Sequence, residues 1–211
     1  MMKEILAIFV HDPVCEVECA LAMEAALEHK FEVKLFGIED LNPKFLSNID
    51  ILAFPGGIGD SDQFDEIFDT DHVDAVRNFV SDGGRYLGIC MGAYWAGSYY
   101  FDILHGIEPV QYISQLDADV TTDGPTVARV NWNSQEEDMY FYDGCAFVGN
   151  LSFTDIVATY GNGDPMAIYQ NRIGLIGCHP ESEEWWYELD EIEGWHDGRH
   201  NELLCEFVEA L

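Results

Sequence analysis

Basic residues are scarce in this chain: 9 Lys and Arg stand against 40 Asp and Glu in 211 residues, a formal net charge of −31. A surface of that sign repels phosphate backbones, which excludes direct nucleic-acid binding. The acids are scattered and not in blocks, so a heavily solvated surface is the simpler account of them, with an acidic decoy for a basic partner as the sharper one. Long apolar runs are also missing, so no segment spans a bilayer and no membrane partner is expected. The first apolar run, residues 5–10, is short and lacks a small-residue cleavage site; it reads as a strand, and the protein is assigned to a cytoplasm. Six cysteines occur, at 15, 19, 90, 145, 178 and 205, without a CxxC pair or zinc-like spacing. A disulfide framework and a metal centre are therefore not expected, and most of these thiols read as small buried apolar groups. Internal repeats and low-complexity linkers are absent too. With 48% hydrophobic residues, the expectation is one domain over 1–211.

The elements that are present alternate in type. Residues 3–10 form an apolar, β-branched run, followed by Asp12-Pro13, which suits a helix cap with proline at the first helical position. Residues 14–30 are rich in Ala, Leu, Met and Glu and read as a helix. Residues 31–36 alternate as a strand does, and 50–54 form a short buried strand ending in Pro55-Gly56-Gly57. Val73, Val76, Phe79 and Val80 share a helical face that Asp82-Gly83-Gly84 terminates, and 85–89 returns as a strand. This order implies parallel strands joined by crossover helices. The second half is less regular: little is placed over 103–126, and short strands are expected at 146–148, 155–160, 166–170 and 173–178, the last two joined by a turn at Asn171-Arg172. Leu203, Leu204, Phe207, Val208 and Leu211 mark a closing amphipathic helix.

Chemistry concentrates in three segments. A buried strand runs into Gly88-Ile89-Cys90-Met91-Gly92, the cysteine form of a nucleophile elbow. A nucleophile on so sharp a turn needs neighbours almost without side chains, and a following helix would present its N-terminus to the sulfur. An ordinary buried cysteine in a βα turn would read the same way on this motif alone. Phe54-Pro55-Gly56-Gly57 also follows a strand, and its glycines let backbone N–H groups approach a ligand. The N–H groups of Gly57 and Met91 would together suit an oxyanion hole. Finally, Gly177-Cys178-His179-Pro180-Glu181 ends a strand, where His179 can reach the neighbouring strand ends and Glu181 can hold its tautomer.

In this order the three segments resemble the class I glutamine amidotransferase superfamily, and within it the biotin–protein ligase N-terminal domain-like family. The resemblance covers roughly residues 50–187. It implies an α/β, flavodoxin-like, mostly parallel sheet flanked by helices, with an irregular β-rich second half. It also implies a Cys90-His179-Glu181 triad, an oxyanion hole from Gly57 and Met91, and no cofactor. A PfpI-type branch of the same fold commonly has His after the nucleophile; here Met91 follows Cys90, and the His-Pro-Glu segment is present. In glutamine-hydrolysing relatives a Gln usually stands two residues beyond the second glycine of the elbow. This chain has Tyr94 there, then Trp95. Gly56, Tyr94 and Trp95 are thus expected to line a pocket for a flatter, more apolar amide than free glutamine.

The leading expectation is a cysteine hydrolase or amidotransferase-like enzyme acting on an amide-type C–N bond of a small molecule, with a synthetase or ligase as partner. The alternative is a non-catalytic binding or regulatory module of the biotin–protein ligase N-terminal type. His196 and His200 stand four apart, as metal ligands on a helix do, but Gly198 interrupts that helix and surface histidines are the simpler reading. Cys15 and Cys19, also four apart, read as packing residues of the first helix. Trp185, Trp186 and Tyr187 would roof a pocket or, more simply, fill a core.

Overall fold

The computed structural model describes residues 3–12, 14–57, 63–189 and 191–211. Chain order runs β1 (Ile5–Phe9), α1 (Val17–Leu27), β2 (Glu32–Phe36), α2 (Pro43–Leu46), β3 (Ile51–Phe54), α3 (Phe64–Ile67), α4 (Thr70–Ser81), β4 (Arg85–Ile89) and α5 (Met91–Tyr94). It continues through β5 (Ile107–Gln111), β6 (Thr126–Trp132), β7 (Gln135–Phe141), β8 (Cys145–Gly149), β9 (Asp155–Tyr160), β10 (Pro165–Gln170) and β11 (Ile173–Ile176) to α6 (Glu184–Leu189) and α7 (Arg199–Ala210).

Nine strands form one sheet in the order β2-β1-β3-β4-β11-β10-β9-β6-β7. The first five are parallel, and from β11 onward each pairing is antiparallel. β5 and β8 pair separately. The parallel strands are apolar on both faces because helices cover both. In β1, Leu6 and Ile8 pack into the same core as Leu27 of α1 and Leu204 of α7. Ala7 and Phe9 face the opposite core with Leu46, Phe64 and Val76 of α2, α3 and α4. Parallel pairing brings the C-terminal ends of β1, β3, β4 and β11 to one edge. His11, Pro55–Gly57, Cys90 and His179 all leave the sheet there.

Three expectations need correction. The first helix begins at Val17, not near residue 14, because His11 and Cys15 pair through their backbones (Cys15 N–H to His11 O, 2.8 Å) and fold the connection back first. Met1, Met2 and Pro13, the proposed first helical residue, lie outside the described residues. The helix after Cys90 is a single turn, so its dipole contributes less at the sulfur than a long helix would. The second half is more ordered than expected: β6 and β7 form a hairpin through Asn133 and Ser134, both at positive φ (48° and 70°), and β9, β6 and β7 extend the main sheet. Among the described residues no helix is long and apolar enough to cross a membrane.

Candidate active site

Cys90 sits at the sharp turn between β4 and α5 with φ 49° and ψ −105°, a backbone region that costs a non-glycine residue about 1–3 kcal/mol. The turn is held on several sides. The Cys90 N–H donates to Ile176 O at 2.8 Å, and the buried Tyr86 hydroxyl donates to Gly92 O at 2.7 Å. A Cβ on Gly92 would lie 2.1 Å from Phe54 O, so close approach to β3, and not chain flexibility, requires glycine there. The residue is 4% exposed, and its sulfur contacts Tyr142 O at 3.4 Å.

His179 follows β11 and is fixed by its N–H, which donates to Tyr140 O at 2.9 Å. Its ring is 3% exposed and stands edge-to-face against Tyr140 and Trp186. Nδ1 lies 2.9 Å from Glu181 Oε1, and the carboxylate, itself without exposure, can only accept, so Nδ1 carries the proton. Nε2, also buried, is the ring nitrogen left for Cys90. Burial pulls the imidazole pKa down, but the Cys90 sulfur and the Glu181 carboxylate outweigh it and push His179 up to about 10. The sulfur acts on the ring through both its charge and a hydrogen bond, and it also contacts Tyr142 O at 3.4 Å. Gly56 lies between the two groups: a Cβ there would meet His179 Cε1 at 2.4 Å and Cys90 Cβ at 3.4 Å.

Gly57 and Met91, expected to offer an oxyanion hole, lie at the ends of β3 and β4. Met91 N–H opens a helix and has no partner within it, and among the described residues neither N–H donates to a backbone acceptor. Trp95 is elsewhere: it has no exposure and packs against Phe9, Phe54, Phe64, Phe68 and Phe101 in the core. Tyr94 is partly buried, with its hydroxyl donating to Asp143 O at 3.1 Å. The aromatic side chains beside the histidine come instead from β7 and α6. A cavity of about 380 Å³ opens there, lined by Gly57, His179, Cys19, Tyr142, Trp185 and Trp186 among others.

Cys19, read from the sequence as a packing residue of the first helix, lies beside the His-Glu pair. It sits on α1 with donor atoms of Cys19, His179 and Glu181 all within 4.8 Å of one another. Only the packing of α1 against the β11 end creates that proximity, so no spacing could have signalled it. Burial, reinforced by Glu181, pushes its thiol well above the ordinary range. Burial likewise raises the Cys15, Cys145, Cys178 and Cys205 thiols. The other four-apart pair, His196 and His200, is buried against β7. His200 Nε2 lies 3.3 Å from Glu137 Oε2, an oxygen that also accepts from Arg199, while His196 meets Ser182 Oγ at 3.4 Å. The pair is therefore internal, not on the surface, and fastens α7 to the sheet.

The helix-flanked, 2-1-3-4-ordered sheet, with Cys90 and the His179–Glu181 pair at its C-terminal edge, has the class I glutamine amidotransferase-like fold. Residues 13–104 match the family model described as biotin-protein ligase, N terminal, in line with the family that the motifs resemble. PurLQS from Thermotoga maritima shares the fold at 15% identity, with a TM-score of 0.66 over 97% of this chain and 98% of that one. A glutamine amidotransferase is similar at 18% identity, TM-score 0.61, over 88% and 98%. A protein from Thermoplasma acidophilum, provisionally described as one subunit of a GMP synthase, is similar at 16%, TM-score 0.60, over 100% and 98%. No curated protein matches the sequence significantly.

Proposed function

We propose that the chain is a cysteine-nucleophile amidohydrolase of the amidotransferase-like kind. The observation that carries the reading is Cys90 in its positive-φ turn, electrostatically coupled to a buried His179 that Glu181 holds through Nδ1. With His179 raised to about 10, the imidazole is the proton acceptor for the Cys90 thiol. The Cys90 sulfur attacks the amide carbonyl, and the N–H groups of Gly57 and Met91 take the oxyanion. As the C–N bond breaks, the imidazolium gives its proton to the leaving nitrogen. Neutral His179 then takes a proton from water, the hydroxide cleaves the thioester, and acid and thiolate are restored with the imidazolium. The neighbouring folds include one described as part of a synthase, which supports a synthetase or ligase partner that would receive the released amine.

Limited alkylation with peptide mapping tests this. Cys90 is expected to be labelled first of the six thiols. His179→Ala should slow its labelling at pH 7 by about tenfold or more, and Glu181→Gln by less, since that change keeps the imidazole and weakens its orientation and charge stabilisation. Labelling of Cys19 or Cys205 ahead of Cys90 would sink the assignment. Free glutamine should release little ammonia, because Tyr94 offers no paired amide contacts.

A second reading, a binding module of the biotin–protein ligase N-terminal type, is favoured by one observation. Cys90 is 4% exposed and is not among the residues that line the cavity, whereas His179 is. Ligand binding that survives Cys90→Ala, with no turnover by the wild type on any amide, would select it.

A further inference from the structure

The cavity beside His179 has an uneven chemistry. Glu16 and Glu18 line it, and no lysine or arginine does. Among the described residues neither carboxylate is in an ion pair. Glu16 is partly buried, and burial and the Glu18 charge raise its pKa while His179 lowers it, so the carboxylates crowd one another and the imidazole is the one basic side chain among the described residues lining the cavity with them. In a chain this acidic, glutamates alone would mean little; what surrounds them is the second observation. The walls are aromatic (Tyr142, Trp185 and Trp186), and such faces attract cations. One buried polar atom of a lining residue, Trp186 Nε1, has no partner among the described residues. A buried N–H of this kind ordinarily finds an acceptor, and a ligand carbonyl would supply one. The volume, about 380 Å³, lies at the small end of the range for small-molecule sites.

We propose that this cavity takes an amide whose neighbouring arm ends in an alkylammonium or guanidinium group, with Glu16, Glu18 and the aromatic walls receiving the cation. The carbonyl end then lies toward His179 and Gly57, and anionic substrates are rejected by the same carboxylates. The inference rests on the amide-cleaving reading for which bond breaks, but the cation preference is a property of binding.

Three matched probes test it on the full-length Cys90→Ala protein: N-acetyl-argininamide, N-acetyl-norleucinamide and N-acetyl-isoglutamine, cationic, neutral and anionic. Binding is read by tryptophan fluorescence and calorimetry in about 0.5 M NaCl, which screens the general attraction of a −31 chain for any cation. The cationic probe is expected to bind at least about tenfold tighter than the neutral one, and the anionic probe not measurably. In the Glu16→Gln, Glu18→Gln double variant the ratio of cationic to neutral affinity should fall to about one. Equal affinity for cationic and neutral probes, a preference that survives the double variant, or binding of none of the three overturns the inference. Wild-type protein given the cationic amide then separates the two ideas. Binding without cleavage removes the hydrolase and leaves the cation site standing, and cleavage without charge preference does the reverse.

Discussion

Gly56 lies so close to the imidazole that a methyl group there cannot coexist with the present position of His179. Gly56→Ala should therefore push the ring away from Cys90 and lower the thiol's alkylation rate toward that of His179→Ala. The stability cost should be that of one overpacked contact, about 1–3 kcal/mol. Parallel measurement of alkylation rate and urea midpoint checks this, and a stable variant of undiminished reactivity would count against His179 as the partner. Tyr94 and Trp95 teach a related lesson at the same scale. Both are aromatic residues directly after the elbow, yet Trp95 is drawn wholly into the Phe9–Phe54–Phe68 cluster. A ring that finds several aromatic neighbours gains more from burial than from lining a wet cavity.

Helix ends and edges decide the next level. α4 starts with a reciprocal capping box: the Asp69 side chain accepts from His72 N–H, and the His72 ring accepts from Asp69 N–H. Asp69→Ala should cost about 1 kcal/mol, seen as a lower urea midpoint at unchanged slope. α7 is held to β7 through Glu137, Arg199 and His200, with His196 alongside. Burial lowers His196 to about 3, helped by His200 and Arg199, and lowers His200 to about 4, helped by Arg199. The unfolded chain, whose histidines titrate near 6.5, then binds more protons than the folded one between about pH 6.5 and 3. These two side chains therefore contribute stability that is present above that window and lost as pH falls through it. Urea midpoints from pH 7 to 4 should decline less steeply for His200→Gln than for wild type; identical slopes would remove His200 from the account.

At the scale of the whole molecule, a net charge of −31 makes self-repulsion an opposing force to folding. Nine cations cannot neutralise 40 acids, and the ion pairs that do form, such as Lys30–Glu209 and Lys34–Glu32, are exposed. Salt should therefore stabilise this protein. Raising NaCl from about 0.05 to 1 M shortens the screening length from more than 10 Å to about 3 Å, and the melting temperature should rise across that range. A flat or falling curve would mean the acids are spaced widely enough not to repel. The same charge predicts no affinity for duplex DNA at moderate salt.

Much of the parallel half of the sheet was readable along the chain because each buried strand is a short apolar run with glycine or proline at its end, a local pattern. The elbow was readable for the same reason: strain at Cys90 and close approach at Gly92 demand small residues at fixed offsets. β6 and β7 were not, since Arg129, Asn131, Glu136 and Asp138 on their solvent face dilute the apolar signal that Ala128, Val130 and Trp132 carry. The position of Cys19 beside His179 and Glu181, and the joining of Glu16 and Glu18 to aromatic walls from β7 and α6, belong to no sequence window at all. Those contacts join residues more than 100 positions apart, and only the packing of α1 and α6 over the strand ends brings them within reach. Local backbone demands are written in neighbouring residues, whereas a cavity is a property of surfaces that meet only after the chain has folded.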